Sequence, residues 1–129
     1  MQHMSPEHVA AMNEILRDSP EVRAACCALA APRSWSYRLS DGPDGETVDW
    51  TVLFGETLEF SLDPFPGQAD VVFRGDWAQM MRTSKATREG RQVDAGLTIT
   101  GDPAVLAETA PVLEVARGVA TIPVEFPDV

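Results

Sequence analysis

The sequence predicts a single α+β domain, because helical and strand-like hydrophobic periodicities follow one another along its 129 residues. Residues 1–33 place apolar side chains at helical spacing, whereas residues 34–62 alternate apolar and polar side chains. Residues 71–81 and 97–107 each contain a β-rich run, Gly-Asp and a segment able to begin a helix. A chain of this length can bury one core but is too short for two comfortable domains.

Two short amphipathic helices are predicted within residues 1–33. Ser5-Pro6-Glu7 and Ser19-Pro20-Glu21 each supply an N-cap, a proline at the first helical position and an acid in the first turn. Pro32 ends the second helical unit. Apolar stripes follow the two starts, at Val9, Met12, Ile15 and Leu16 and then at Val22, Ala25, Cys26 and Leu29.

Three alternating runs, at residues 34–39, 48–54 and 58–62, predict an antiparallel meander. Turn residues separate the runs, and we expect Asp49 and Glu59 on the face opposite the apolar stripe. The opening helices are candidates to cover that apolar face. Its residues are Trp35, Tyr37, Leu39, Val48, Trp50, Val52, Phe54, Leu58, Phe60 and Leu62.

The second half of the chain is predicted to alternate between strands and helices after two prolines interrupt the meander. One or two closing helices are expected, depending on whether Pro111 interrupts the last one. The tail, residues 118–129, alternates Ile122, Val124 and Phe126 and is either a sixth strand or an extended arm over the core. The other expected elements are a strand at 69–73, a helix at 76–86, a polar loop at 87–96 and a strand at 97–100.

The two Gly-Asp pairs are predicted to be strand exits and helix caps. Asp76 and Asp102 can accept hydrogen bonds from free backbone N–H groups of the following helix, and Pro103 suits a first helical position. A carboxylate at a helix N-terminus would compete with a bound phosphate. Arg74-Gly75-Asp76 also spells a cell-adhesion signal, but here it joins a strand to a helix, so we set the adhesion reading aside.

Charge and hydropathy exclude several classes of function. The chain carries 20 acidic and 10 basic side chains, a net charge of −10, and no Lys/Arg run, so we expect no nucleic-acid partner. No apolar stretch approaches the roughly 20 residues that span a bilayer, so we expect no integral membrane association. The N-terminus lacks a secretory pattern, and we expect a cytoplasmic protein.

The sequence offers few catalytic or metal-binding patterns. Its two histidines are His3 and His8, and their spacing matches no zinc pattern. We expect His8 on a solvent-facing helix surface and assign residues 1–4 no structural role. No Gly-rich phosphate loop occurs, and no pair among the many carboxylates stands out for acid–base chemistry. We therefore expect no metal and no cofactor, and we lean towards a protein that is not an enzyme.

Two motifs resemble the sterol carrier protein type 2 superfamily. Ala69-Asp70-Val71-Val72-Phe73 is similar to the family's Ala-Asp-Val strand that leads into a short helix. Residues 97–102, Leu-Thr-Ile-Thr-Gly-Asp, match the Leu-x-Ile-x-Gly-Asp part of the family's Gly-x-Leu-x-Ile-x-Gly-Asp strand, and Gly96 directly precedes Leu97. The resemblance covers roughly residues 34–117. It places the opening helices before this core and the tail after it, within one domain spanning residues 1–129.

The resemblance implies a five-stranded, mainly antiparallel sheet covered on one face by helices, with a hydrophobic tunnel between sheet and helices. It further implies that the tunnel holds a fatty acid, an acyl-CoA or a sterol; a polyketide-like molecule is a related candidate. Arg82, Lys85 and Arg88 are candidates for head-group contacts. The candidate tunnel walls are Trp50, Phe54, Phe60, Phe73, Trp77, Met80 and Met81.

Three functions are compatible with these observations. The first is a carrier or accessory protein that binds a hydrophobic small molecule. The second is a biosynthetic enzyme of cyclase or isomerase type, which would need a carboxylate buried in the apolar cavity. The third is a partner-binding subunit, or a homodimer, built on the tail.

Overall fold

The computed structural model of the protein describes residues 1–129 and contains four helices and five strands. The predicted α+β class is confirmed, and the strands lie within or close to the predicted runs. The elements are α1 (Pro6–Arg17), α2 (Pro20–Cys27), β1 (Arg33–Ser40), β2 (Val48–Phe54), β3 (Leu58–Ser61), β4 (Val71–Asp76), α3 (Trp77–Arg88), β5 (Thr98–Gly101) and α4 (Pro103–Val119).

The five strands form one mixed sheet in the order β3-β2-β1-β4-β5. The pairings β1–β2, β2–β3 and β4–β5 are antiparallel, and β1–β4 is parallel. The sheet is thus mainly antiparallel, as predicted. Strands β2 and β1 lie between β3 and β4 in this order. The connection from β3 to β4, residues 62–70, must therefore cross one face of the sheet.

One face of the sheet carries the apolar side chains and packs against the helices. Tyr37 on β1 is in register with Trp50 on β2 and Phe73 on β4, so these three side chains share that face. Two buried clusters form there. The first contains Leu16, Val22, Cys26, Trp35, Val52, Phe54, Leu58, Val71, Phe73, Val105, Val112, Leu113 and Ala116; the second contains Leu39, Trp50, Trp77 and Met81.

Helix α4 is fixed to the central strand by a buried hydrogen bond. The Trp35 indole Nε1 donates to Thr109 Oγ1 at 2.9 Å, and Thr109 Oγ1 in turn donates to the Val105 carbonyl oxygen at 2.7 Å. Pro111 lies inside α4 without ending it, so the closing segment is one helix. The apolar face of Val112, Leu113 and Ala116 continues the packing beyond the proline.

The two family-like motifs meet at a junction formed by Ser34, Asp70 and residues 101–102. Asp70 Oδ2 accepts from Ser34 N at 2.9 Å, and Asp70 N donates to Ser34 Oγ at 3.1 Å. Asp102 N donates to the Asp70 carbonyl oxygen at 3.0 Å. Gly101 has φ of +111°, and a Cβ there would clash with that same oxygen. Only glycine allows β5 this close to the start of β4.

Both predicted Asp caps are confirmed. Asp76 Oδ2 accepts from Gln79 N at 2.9 Å at the start of α3, and Asp102 Oδ1 accepts from Ala104 N at 2.9 Å at the start of α4. Each carboxylate satisfies a helix N–H group that has no partner within the helix. The Gly-Asp turns therefore direct α3 and α4 away from their strands.

The two chain ends are paired with each other. His3 N donates to the Glu125 carbonyl oxygen at 2.9 Å, and Glu125 N donates to the Met1 carbonyl oxygen at 2.8 Å. The tail is an extended arm with a single bridge to Gln2, not a sixth strand. The assignment of no structural role to residues 1–4 is wrong, because backbone pairing and the His3 ring, stacked on Phe126 at 4.8 Å, order this segment.

His8 is fully buried, so its predicted solvent-facing position is also wrong. It precedes Met12 and Leu16 by one and two helical turns and therefore lies on the buried stripe of α1. Its Nδ1 accepts from Met4 N at 2.9 Å, and its ring lies 5.5 Å from that of His3. Burial, then the charges of His8 and Arg88, lower the pKa of His3 to about 4. Burial and then Arg88 also lower the pKa of His8.

Gly101→Ala should lower the free energy of unfolding by about 1–3 kcal/mol from the positive φ alone, and further because its Cβ displaces the Asp70 backbone. Gly118→Ala is the matched control, since a Cβ at this α4 position meets nothing within 4 Å. The control should be neutral or stabilising by about 0.5–1 kcal/mol. Urea unfolding measures both. A Gly101→Ala protein as stable as its parent would contradict the close approach at the junction.

The free energy of unfolding should decrease as pH falls from about 6.5 towards about 4, because the unfolded chain takes up protons that the folded His3 excludes. His3→Phe preserves an aromatic ring against Phe126 and removes this titrating group. Its unfolding free energy should therefore decrease less steeply than that of the parent over the same range. Urea unfolding across this range tests the difference, and equal slopes would show that His3 is not buried in its neutral form.

Candidate functional site

A cleft of ≈ 350 Å³ lies between α3 and the C-terminal tail. Its apolar lining includes Met81 and Ala86 from α3, Val93 from the following loop and Phe126 from the tail. Met81 is only 5% exposed and belongs to the second buried cluster, against which Phe126 also packs. The floor of the cleft is therefore continuous with the apolar layer between α3 and the sheet.

The rim of the cleft carries charged side chains of both signs, with the carboxylates of Glu89 and Asp128 beside three cations. Arg82 and Lys85 project from α3, and Arg91 follows from the loop. Arg91 forms an ion pair with Glu89 at 2.6 Å, whereas Arg82 Nη2 donates to the neutral amide oxygen of Gln79 at 2.9 Å. Lys85 takes part in none of the five ion pairs of the protein. Arg82 and Lys85 can thus pair with an external anion at this rim.

The three residues predicted to contact a head group do not all line the cleft. Arg82 and Lys85 line the cleft, whereas Arg88 does not. Arg88 Nη1 donates to the Ile122 carbonyl oxygen at 2.7 Å and so holds the tail against α3. Its observed contact is structural, because it fixes one wall of the cleft.

The predicted wall residues fall into two groups. Phe54 and Phe73 belong to the first cluster, and Phe60 packs against it. Trp50, Trp77 and Met81 belong to the second cluster, and Met80 packs against it. All seven contribute to the layer between sheet and helices, but Met81 is the one that also lines the cleft.

Tyr37 and Leu97 contact both clusters and mark the seam between them. The Tyr37 ring stacks on Phe73 at 4.5 Å and lies 5.9 Å from Trp50. Burial raises the pKa of Tyr37 to about 12, against a smaller opposing effect of Arg117. At neutral pH this hydroxyl remains protonated, so it can donate a hydrogen bond to a polar atom in the seam and cannot serve as a base.

The β5 end of the helix-facing surface is open. Ile99 is in register with Phe73 and so shares its face of the sheet, yet Ile99 is 51% exposed. The helices therefore stop short of the β5 edge.

Sequence reasoning missed the cleft walls supplied by Val93 and Phe126. Val93 lies in a loop predicted only as polar, and no local pattern distinguishes it. The alternation of Ile122, Val124 and Phe126 was a usable signal for the tail, since all three side chains are half-buried while the residues between them are exposed.

The buried polar residues of the protein include no aspartate or glutamate. They are His8, Ser19, Ser34, Ser36, Thr51 and Thr109. No group of three or more His, Cys, Asp or Glu side chains is arranged to hold a metal ion. None of the four helices combines the length and hydropathy that crossing a membrane requires.

No protein-family model matches the sequence, and no curated protein matches it. Solved structures do match the fold. The conserved hypothetical protein TT1886 of Thermus thermophilus is 18% identical with a TM-score of 0.58, over 93% of this chain and 88% of that one.

Two further structures match with similar coverage. A crystal structure of sterol carrier protein 2 is 18% identical with a TM-score of 0.55, over 90% of this chain and 95% of that one. The ubiquinone synthesis protein UbiJ-SCP2 is 16% identical with a TM-score of 0.51, over 84% of this chain and 90% of that one. The chain therefore has the fold of sterol carrier protein 2.

Proposed function

We propose that the protein binds an amphiphilic small molecule, with an apolar body and an anionic head, as a carrier or accessory protein. The observation that carries the proposal is the cleft of ≈ 350 Å³ whose apolar floor continues into the second cluster and whose rim carries Arg82 and Lys85. A fatty acid or an acyl-CoA has this combination of groups. A sterol or polyketide-like molecule would use the apolar part alone.

The apolar body would supply most of the binding free energy. Each buried CH₂ contributes about 0.8 kcal/mol, so about ten of them would contribute about 8 kcal/mol before the entropic cost of binding. An ion pair at an exposed rim contributes only about 0–1 kcal/mol. Arg82 and Lys85 would therefore orient the ligand, and the apolar floor would determine its affinity.

The cleft is near the small end of the roughly 300–1,000 Å³ range of ligand pockets. A long acyl chain would extend past Met81, between α3 and the sheet, towards Trp50 and Trp77. The soft, unbranched side chains of Met80 and Met81 suit such a rearrangement. Tyr37 would offer a donor to a ligand atom that reaches the seam.

The same geometry supports a carrier over a cyclase or isomerase. A buried acid is what such an enzyme would need, and the buried residues include none. The partner-binding alternative would be favoured by a free tail or by a dimer built across the tail, whereas the tail here packs against the N-terminal segment and α3. The homodimer remains a prediction.

Lys85→Gln should weaken binding of a fatty acid about threefold to fivefold, because one ion pair at the rim is lost. The fatty alcohol of the same chain length should bind parent and variant equally, since it carries no charge. Displacement of a fluorescent fatty acid measures both ligands.

Arg23→Gln is the matched control for this experiment, because Arg23 is exposed on α2, away from the cleft. It should bind both ligands like the parent. Equal losses for acid and alcohol in Lys85→Gln would contradict the assignment of the head group to this rim. Absence of fatty-acid binding by the parent would contradict the proposed function itself.

A further inference from the structure

The face of the sheet opposite the helices carries a second pocket. The connection between β3 and β4 crosses this face, and the Thr51 hydroxyl fixes its start by donating to the Asp63 carbonyl oxygen at 2.7 Å. A pocket of ≈ 160 Å³ lies between this connection and the sheet. The sheet contributes polar and charged side chains, and the connection contributes Pro64 and Phe65.

Three charged residues lie side by side across the sheet in this pocket. Arg38 on β1 is in register with Asp49 on β2 and with Arg74 on β4. Residues in register on neighbouring strands project from the same face, so the order across the sheet is carboxylate, guanidinium, guanidinium. The row carries one more positive charge than negative charge.

The row has a positive net charge, opposite in sign to the net charge of −10 of the chain. Like charges on neighbouring strands repel one another. Asp49 offsets only Arg38, through an ion pair of 3.3 Å between Arg38 Nε and Asp49 Oδ1. Arg74 takes part in none of the ion pairs of the protein, although carboxylates outnumber cations two to one.

The surroundings of the arginines provide further recognition elements. Ser36 lies two residues before Arg38 on the same face, is 7% exposed and lines the pocket, so its hydroxyl can donate to a bound anion. Asp49 engages only Nε of Arg38, and the Arg38 side chain is 52% exposed, so its Nη groups are free to donate to a bound anion. Phe65 supplies an apolar wall beside the charged row.

We propose that this pocket binds a small oxyanion, a phosphate or carboxylate group, between the guanidinium groups of Arg38 and Arg74, with the Ser36 hydroxyl as a further donor. A guanidinium presents parallel N–H donors that match two oxygens of such a group. The anion would relieve the repulsion between the two arginines. The site lies on the opposite face of the sheet from the cleft and is independent of the lipid-binding proposal.

Isothermal titration calorimetry with inorganic phosphate, at ionic strength held constant with sodium chloride, tests this site. The parent should show saturable binding. Arg74→Gln should bind about threefold to fivefold more weakly, because one ion pair at an exposed position is lost. Arg23→Gln is the control and should bind phosphate like the parent. Absence of saturable binding by the parent, or equal affinity in Arg74→Gln, would overturn the proposal.

Two further titrations sharpen the outcome. Asp49→Asn removes the carboxylate that competes for Arg38 and should tighten phosphate binding, whereas weaker binding would contradict the arrangement. Phenyl phosphate distinguishes the sources of the anion. Tighter binding than inorganic phosphate would identify an ester whose body packs on Phe65, and equal binding would identify free phosphate.

Discussion

The parallel pairing of β1 with β4 is the constraint on which the rest of the structure depends. Two hydrogen bonds between Asp70 and Ser34 fix this pairing at the start of both strands. Gly101 allows β5 to approach the backbone of Asp70 at the same end of the sheet. This register places Phe73 beside Tyr37 on the helix-facing side and Arg74 beside Arg38 on the other. One backbone arrangement therefore builds the aromatic seam and the paired arginines on opposite faces of the sheet.

The proposed lipid site follows from what comes directly after β4. Asp76 caps α3 as the strand ends, so α3 folds back over the second cluster and places Met81 near Trp50 and Trp77. The tail completes the cleft, because Arg88 and the N-terminal segment hold it there. The cleft thus combines charged and apolar lining residues because α3 and the C-terminal tail lie next to each other.

Local patterns in the sequence were sufficient for the strands, their apolar face and the Asp caps, because each depends on neighbouring residues. They could not reveal the partnership of residues 1–4 with Glu125, which joins opposite ends of the chain, or the burial of His3 that follows from it. The adjacency of Arg38 and Arg74 likewise requires the parallel register, which no local pattern specifies. Of the residues that line the cleft, Met81, Arg82 and Lys85 were candidates from the sequence, whereas the positions of Val93 and Phe126 depend on tertiary packing.

The central claim is that the space between α3, the tail and the sheet holds an apolar ligand in the cell. Native mass spectrometry of the protein purified from its own host, followed by organic extraction, tests this most directly. We expect a mass above that of the bare chain and an extractable molecule with an apolar body, both of which are lost after delipidation. A bare mass with no extractable molecule, in a protein that also fails to bind added fatty acid, would contradict the claim.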